Sequence, residues 1–380
     1  MGRARAARDN WPMSHRAHSS RLVHTCAVLT RHAFAIAATC VGQHLAAQGT
    51  SASRVVMNDS HFHLTNYVQR GPDIHDVLKL MGDSIGRVAL FGIPLQQEWA
   101  HSVSGDNAPT YYLHSDAPLY YYSFTDAYIA MQYRSLSPAE RERFDPMITG
   151  FNPGDMYAAD HIRRVLKTFP GVFEGIGEFT VHKEFVSDKV RPGPASLIDP
   201  AIDSVLAAAG EIGLLVLIHN DMDVPFPSDT ARPAYLDQMK ALVRRHPNTT
   251  IIWAHTGVGR IVRPVKHHAA NLAALLDDPA FSNLYFDISW DEVAKYLVAS
   301  PEATRIGAAL INRFPDRFLF GTDAVGPTSA EAWLRTYNIY APLWAALTAE
   351  ARLKVRAGNY ERLFDIARRK VRAWEAAQRQ

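Results

Sequence analysis

Four short apolar runs in this chain each lead into a metal-binding or acid/base side chain, and this repeated placement constrains the fold more than any other feature. Val55-Val56-Met57 leads to His61-Phe62-His63, and Leu214–Ile218 to His219. Thr249–Trp253 leads to His255, and Phe318–Phe320 to Asp323. Runs this short and this rich in Val, Ile and Phe suit strands buried on both faces, as in parallel sheets. A polar residue at the carboxyl end of several such strands is how parallel α/β barrels place their chemistry.

The histidines draw their meaning from this position. With 17 His in 380 residues, a His-x-His pair is expected by chance roughly once. At a strand end, however, residues i and i+2 point to one face, so His61 and His63 can set two imidazoles around one ion. A pair of solvated loop histidines is the bland alternative.

The first residues differ in kind. Between Met1 and Gln48 the chain has six arginines against the single acid Asp9, then an apolar segment from Ala33 to Val41 and the small residues Ala46-Ala47. That order matches a secretory signal, with a disordered basic leader or an organelle transit peptide as alternatives. Residues 1–48 are therefore expected to be a leader and 49–380 one barrel domain, exported if the leader is a signal and cytoplasmic otherwise. Without the leader the formal charge falls from +2 to about −3, which argues against a nucleic-acid partner. Cys26 and Cys40, the two cysteines, leave with it, so any metal site in the body must use nitrogen and oxygen donors. No internal apolar stretch is long enough to span a membrane.

Eight strands are predicted: Val55–Ser60, Arg87–Gly92, Leu119–Phe124, Gly171–Gly177, Leu214–Ile218, Thr249–Ala254, Asn283–Ile288 and Arg317–Gly321. Helical segments fall between them, including 73–83, 156–169, 199–210, 234–246 and 265–277. Asp199-Pro200 reads as a helix start and Gly210 as its stop. His219 to His255 and Asp287 to Asp323 each span 36 residues, the length of a βα unit. The fold class is thus α/β, a (β/α)8 or TIM barrel with a catalytic metal at the C-terminal face. The stretches 96–112 and 125–155 read as irregular loops over the barrel mouth. The Tyr120-Tyr121-Tyr122 run reads as strand packing, and His267-His268 as part of a solvated helix.

Together these pieces resemble the amidohydrolase superfamily, on the branch of amidohydrolase-related hydrolases that includes the aminocarboxymuconate-semialdehyde decarboxylase group. The resemblance rests on Asp59-Ser60-His61-Phe62-His63, Gly175-Ile176-Gly177-Glu178, Ile218-His219, Ala254-His255-Thr256-Gly257 and Phe320-Gly321-Thr322-Asp323, taken in order. It is joined by Asn359–Phe364, similar to a C-terminal helix start in such proteins. It implies His61, His63, His219 and Asp323 as ligands of one divalent metal, Zn²⁺ by the chemistry of three imidazoles and a carboxylate. It further implies His255 as the acid/base or stabilising histidine. Asp323 would also accept the proton of a metal-activated water.

Glu178 is either a ligand of a second metal or an acceptor that orients a ligand histidine, and one metal is favoured over two. Lys183 falls beyond the strand end, so no carboxylated lysine is read. Arg260 and Trp290 are candidate substrate contacts, with Asp287 and Asn220 at neighbouring strand ends. The leading reading is a metal-dependent hydrolase of a C–N, C–O or lactone bond in a small organic molecule. A nonoxidative metal-dependent decarboxylase is the alternative, and a binding protein on an inactive barrel is the third. Homo-oligomerisation is left open.

Overall fold

The computed structural model describes residues 56–65, 71–93, 106, 122–183, 195–226 and 232–378. The leader expected at residues 1–48 and the loop expected at 96–112 lie outside the described residues, apart from Asp106. Everything below concerns the unit that runs from Ser51 to Gln380.

Nine strands, β1 (Met57–His63), β2 (Ile85–Phe91), β3 (Phe144–Ile148), β4 (Gly175–Thr180), β5 (Leu215–His219), β6 (Ile251–Trp253), β7 (Leu284–Asp287), β8 (Phe318–Leu319) and β9 (Ala324–Val325), form one sheet among the described residues. The sheet runs β8-β7-β6-β5-β4-β3-β2-β1-β9, and every pairing is parallel. Its two ends meet. Ser60 N donates to Phe320 O at 3.1 Å and Asp323 N to His61 O at 2.8 Å, so the segment after β8 is tied directly to β1. With helices between the strands, this is the curled parallel sheet of a TIM barrel.

Side-chain alternation sorts the strand residues into two layers. Val216 and Ile218 pack with the surrounding helices, whereas Leu215 and Leu217 join Ala89, Phe91, Met147, Ile252, Ala254 and Leu319 inside the barrel. Continuing this register turns His219 inward, and Tyr285 does the same for Asp287. Tyr360, Leu363, Phe364 and Ala367 of the last helix (Asn359–Ala377) complete the inner cluster.

Two strands carry irregularities where the chemistry lies. Between Ile176 and Phe179 the β4 chain advances three residues while β5 advances two, a bulge centred on Gly177-Glu178. The extra residue brings Glu178 into the interior beside Gly177. A similar shift in β1 lies between Asp59 and Phe62.

The third strand corrects the reading of the sequence. It is Phe144–Ile148, within the stretch expected to be a mouth loop, and not Leu119–Phe124. Tyr122–Phe124 is instead a turn of 3₁₀ helix leading into the helix Thr125–Ser135, so Tyr122 is not in a strand, and Tyr120 and Tyr121 lie outside the described residues. Asp145 and Pro146 disguise β3 in sequence, because a charge and a proline both argue against a buried strand. Here the charge is satisfied by Arg87, Arg368 and Tyr360.

Two smaller corrections concern helix ends. The helix after β4 begins at Pro200 as expected but runs to Ile212, and Gly213, at φ 89°, is its left-handed stop in place of Gly210. His268 opens its helix (His268–Asp277) turned inward instead of toward solvent. Its Nε2 lies 3.4 Å from Thr256 Oγ1, and burial pushes its pKa down to about 4. No helix among the described residues is long and apolar enough to cross a membrane.

Candidate metal centre

Four imidazoles and several carboxylates meet at the carboxyl ends of the strands. His61 and His63 come from β1, Glu178 from β4 and His219 from β5. His255 follows β6, Asp287 ends β7 and Asp323 follows β8. The side chains of His61, His63, Glu178, His219 and His255 are almost wholly buried, and that of Asp323 is 11% exposed. The backbone is held in unusual conformations at this rim. His255, Thr256, Trp290 and Asp323 all adopt positive φ, between 55° and 78°, which non-glycine residues rarely do. Gly321 has no such constraint, but a Cβ there would lie 2.6 Å from His61 Cβ, so only glycine lets β8 close this tightly on the histidine.

Hydrogen bonds fix which ring nitrogens face the centre. His63 Nδ1 donates to Gly92 O at 2.7 Å, and His61 Nδ1 donates to Asp287 Oδ2 at 2.9 Å. Ser289 Oγ donates to Asp287 Oδ1 at 2.6 Å, which leaves it to accept from His255 Nδ1 at 2.9 Å. All three rings therefore turn Nε2 inward. Such outer partners set tautomer and orientation, and Ser289 is one that the sequence reading missed. Its only sequence signal is its place two residues beyond Asp287, on the same face.

The inward atoms fall into sets small enough to hold an ion. One comprises His61, His63 and Glu178, a second Glu178, His219 and His255, and a third His61, His255 and Asp323. Asp323 Oδ1 lies 2.9 Å from His63 Nε2 and 3.3 Å from His61 Nε2. Glu178 Oε2 is 3.5 and 3.7 Å from the same nitrogens. On its other side, Glu178 Oε1 is 2.5 Å from His219 Nδ1 and 3.5 Å from His255 Nε2. Of the four residues expected around one ion, the structure thus groups His61 and His63 with Asp323, and draws His219 toward Glu178 and His255. Glu178 touches both groups.

The donor set fits a divalent cation. His61 Nε2 and His255 Nε2 are buried without a hydrogen-bond partner, and an orphaned nitrogen facing two carboxylates, as His61 Nε2 does, is what a bound ion would satisfy. The electrostatics agree. Burial disfavours charge on His61, yet Asp323 and Asp287 outweigh it and hold its pKa well above the usual value. Burial likewise opposes ionisation of Glu178 and Asp323, but Lys183 and His219 for the former, and His61 for the latter, keep both carboxyls below the ordinary range. His255 goes the other way, lowered by burial, and stays neutral near pH 7.

Three further residues line this site. Lys183, expected to fall clear of the strand end, returns to place Nζ 3.8 Å from Glu178 Oε1. The Trp290 ring lies 5.1 Å from that of His255, with the charges of Lys183 and Arg260 each 5.5 Å from its centroid. Arg260 is half exposed at the rim and 3.9 Å from Glu292. Asn220, also expected here, is buried; its side-chain Nδ2 donates to Asp221 O while its backbone carbonyl accepts from Trp253 Nε1.

Solved structures similar to the chain include a 2,6-dihydroxybenzoate decarboxylase from Rhizobium, at 15% identity and a TM-score of 0.45 over 82% of this chain and 99% of that one. Another is a dihydroorotase from Campylobacter jejuni, at 16% identity and a TM-score of 0.46 over 81% and 83% respectively. A third, 5-carboxyvanillate decarboxylase from Sphingomonas paucimobilis, shows 17% identity and a TM-score of 0.43 over 76% and 82%. No curated protein sequence matches. The amidohydrolase family model matches residues 130–366, more than half of the chain, and the protein belongs to that family.

Proposed function

We propose that the protein is a metal-dependent hydrolase that adds water across a C–N, C–O or lactone bond of a small organic substrate. The observation that carries this reading is the buried, unpartnered His61 Nε2 facing the carboxylates of Asp323 and Glu178, with the bare Nε2 of His255 beside them. His61, His63 and Asp323, with Glu178 Oε2, would hold one divalent ion, and zinc suits this nitrogen and oxygen set. Such an ion lowers the pKa of a water toward about 7 and polarises a carbonyl oxygen.

The remaining steps belong to the chain. Asp323 is held ionised and lies at the edge of the donor set, so its second oxygen can accept a proton from the attacking water. His255 keeps its proton on Nδ1, against Ser289, and offers a bare Nε2 toward the centre. That nitrogen can take from Asp323 the proton of the attacking water and pass it to the leaving group, and the imidazolium formed in between would be stabilised by the again-ionised Asp323, 4.0 Å away. Trp290 walls the His255 side and keeps water from its ring.

Decarboxylation is a second reading, because Arg260 over Trp290 supplies a cation where a carboxylate could rest. Stripping metal with a chelator should abolish turnover in a screen of lactones, amides and aromatic carboxylates, and zinc should restore it. Release of CO₂ without uptake of water would select the lyase. Full activity in protein free of metal would defeat both.

A further inference from the structure

Outside the barrel wall, between the sheet and three helices, lies a cavity of about 510 Å³. Phe318 and Ile288 line its sheet side, and each alternates with an inward residue, Leu319 and Asp287, so the cavity is across the wall from the candidate metal centre. The helices His268–Asp277, Asp291–Leu297 and Pro301–Arg313 cover it. Packed protein layers leave few voids larger than a water, whereas this one falls within the roughly 300–1,000 Å³ of small-molecule sites. Small residues, Ala269, Ala270, Ala303 and Gly307, make the room, and the exposed Ile306 opens it to solvent. Val258 and Val293 line it too and pack on Trp290, the ring that covers His255.

The lining decides what fits. Among the described residues no Asp, Glu, Lys or Arg lines the cavity, so a charged guest would lose its hydration with no counter-ion to replace it. His268 supplies a polar contact. Thr256 Oγ1 spends its hydrogen on His255 O at 2.6 Å, so toward His268 Nε2, 3.4 Å away, it can only accept. Burial keeps the ring neutral at pH 7, and a neutral imidazole has a single N–H, here on Nε2. Nδ1 is therefore a bare acceptor, buried and without a hydrogen-bond partner among the described residues. We propose that this cavity is a second ligand site, separate from the candidate metal centre, for a neutral apolar molecule with one hydroxyl, a substituted phenol being the type, that donates to His268 Nδ1.

The test is calorimetric titration of the full chain with 4-ethylphenol and with its methyl ether, which has no donor, as wild type and as Ala303→Phe, His268→Asn and His268→Phe. Wild type should take one phenol per chain and hold it about tenfold more tightly than the ether, the worth of one buried hydrogen bond. Ala303→Phe fills the cavity from a partly exposed position and should abolish binding. Both His268 variants lose the bond to Thr256, but asparagine returns an acceptor near the place of Nδ1. His268→Asn should therefore keep the preference for the phenol, and His268→Phe should lose it. Equal affinity for phenol and ether in wild type would overturn the inference, even if no variant folds. Phenol binding unchanged in Ala303→Phe would place the phenol elsewhere and overturn the site, as would no binding to wild type.

Discussion

Ser289 shows how much one hydroxyl can organise. It donates to Asp287, accepts from His255 Nδ1, and lies 3.1 Å from His61 Nδ1, so two imidazoles and a carboxylate share it. Ser289→Ala should leave His61 anchored by Asp287 but free His255 to rotate. Turnover is expected to fall about 10–100-fold with zinc content unchanged, as measured by steady-state kinetics beside elemental analysis. His255→Asn removes the group instead of its support and should lower turnover by about 10² or more, again with the metal retained. If zinc is lost from His255→Asn, the histidine is a ligand and not an acid/base group. His61, His63 and His255 were legible because they follow apolar runs. Ser289 was not, since a serine after Asp287 differs in no local way from a loop serine.

Among the elements, legibility tracked apolar continuity. β5, β6 and β7 are uninterrupted apolar runs, and their observed bounds lie within about two residues of those expected. β3 hid because Asp145 and Pro146 break its run, although tertiary ion pairs absorb the charge. The bulge in β4 was equally invisible, so the inward turn of Glu178 and the return of Lys183 could not be read from spacing.

The unforeseen helix Thr125–Ser135 is joined to β3 through Asp126, which accepts from Thr149 N at 2.8 Å and Gly150 N at 3.0 Å. Burial raises its pKa to about 7, despite these donors. Between the ordinary value of 3.8 and about 7 the folded protein keeps a proton that the unfolded chain has lost, so stability falls as pH rises through that window. Wild type should lose roughly 2–3 kcal/mol between pH 5 and 8 relative to Asp126→Asn, by urea unfolding. Parallel pH profiles for the two proteins would mean that Asp126 is ionised when folded.

On the scale of the whole molecule, chemistry and stability are assigned to opposite ends of the barrel. The candidate metal centre lies at the carboxyl ends of the strands, while the last helix, Asn359–Ala377, inserts Tyr360, Leu363 and Phe364 among the inward residues of β2, β3, β5 and β8. Arg368 of that helix bonds Asp145, Glu174 and Glu142, and Arg87 joins Asp145 to Asp365, so ion pairs flank the apolar plug, those to Asp145 and Glu174 on buried carboxylates and those to Glu142 and Asp365 on exposed ones. Phe364 is 1% exposed and stacked on Tyr360 at 4.1 Å between centroids. Truncating it leaves a cavity that β-strands locked in a closed sheet cannot collapse to fill. Phe364→Ala should therefore destabilise the fold by about 3–5 kcal/mol in denaturant unfolding. Phe364 itself makes no ring contact with the centre's residues among the described residues, and Phe91 of the same cluster, 4.9 Å from His63, links the two, so kcat per folded molecule and zinc content should stay within about twofold of wild type if that link is rigid. A variant that unfolds normally but loses zinc would show that the two ends of the barrel are coupled, and that the helix acts on the geometry of His61 and Asp323 as well as on the core.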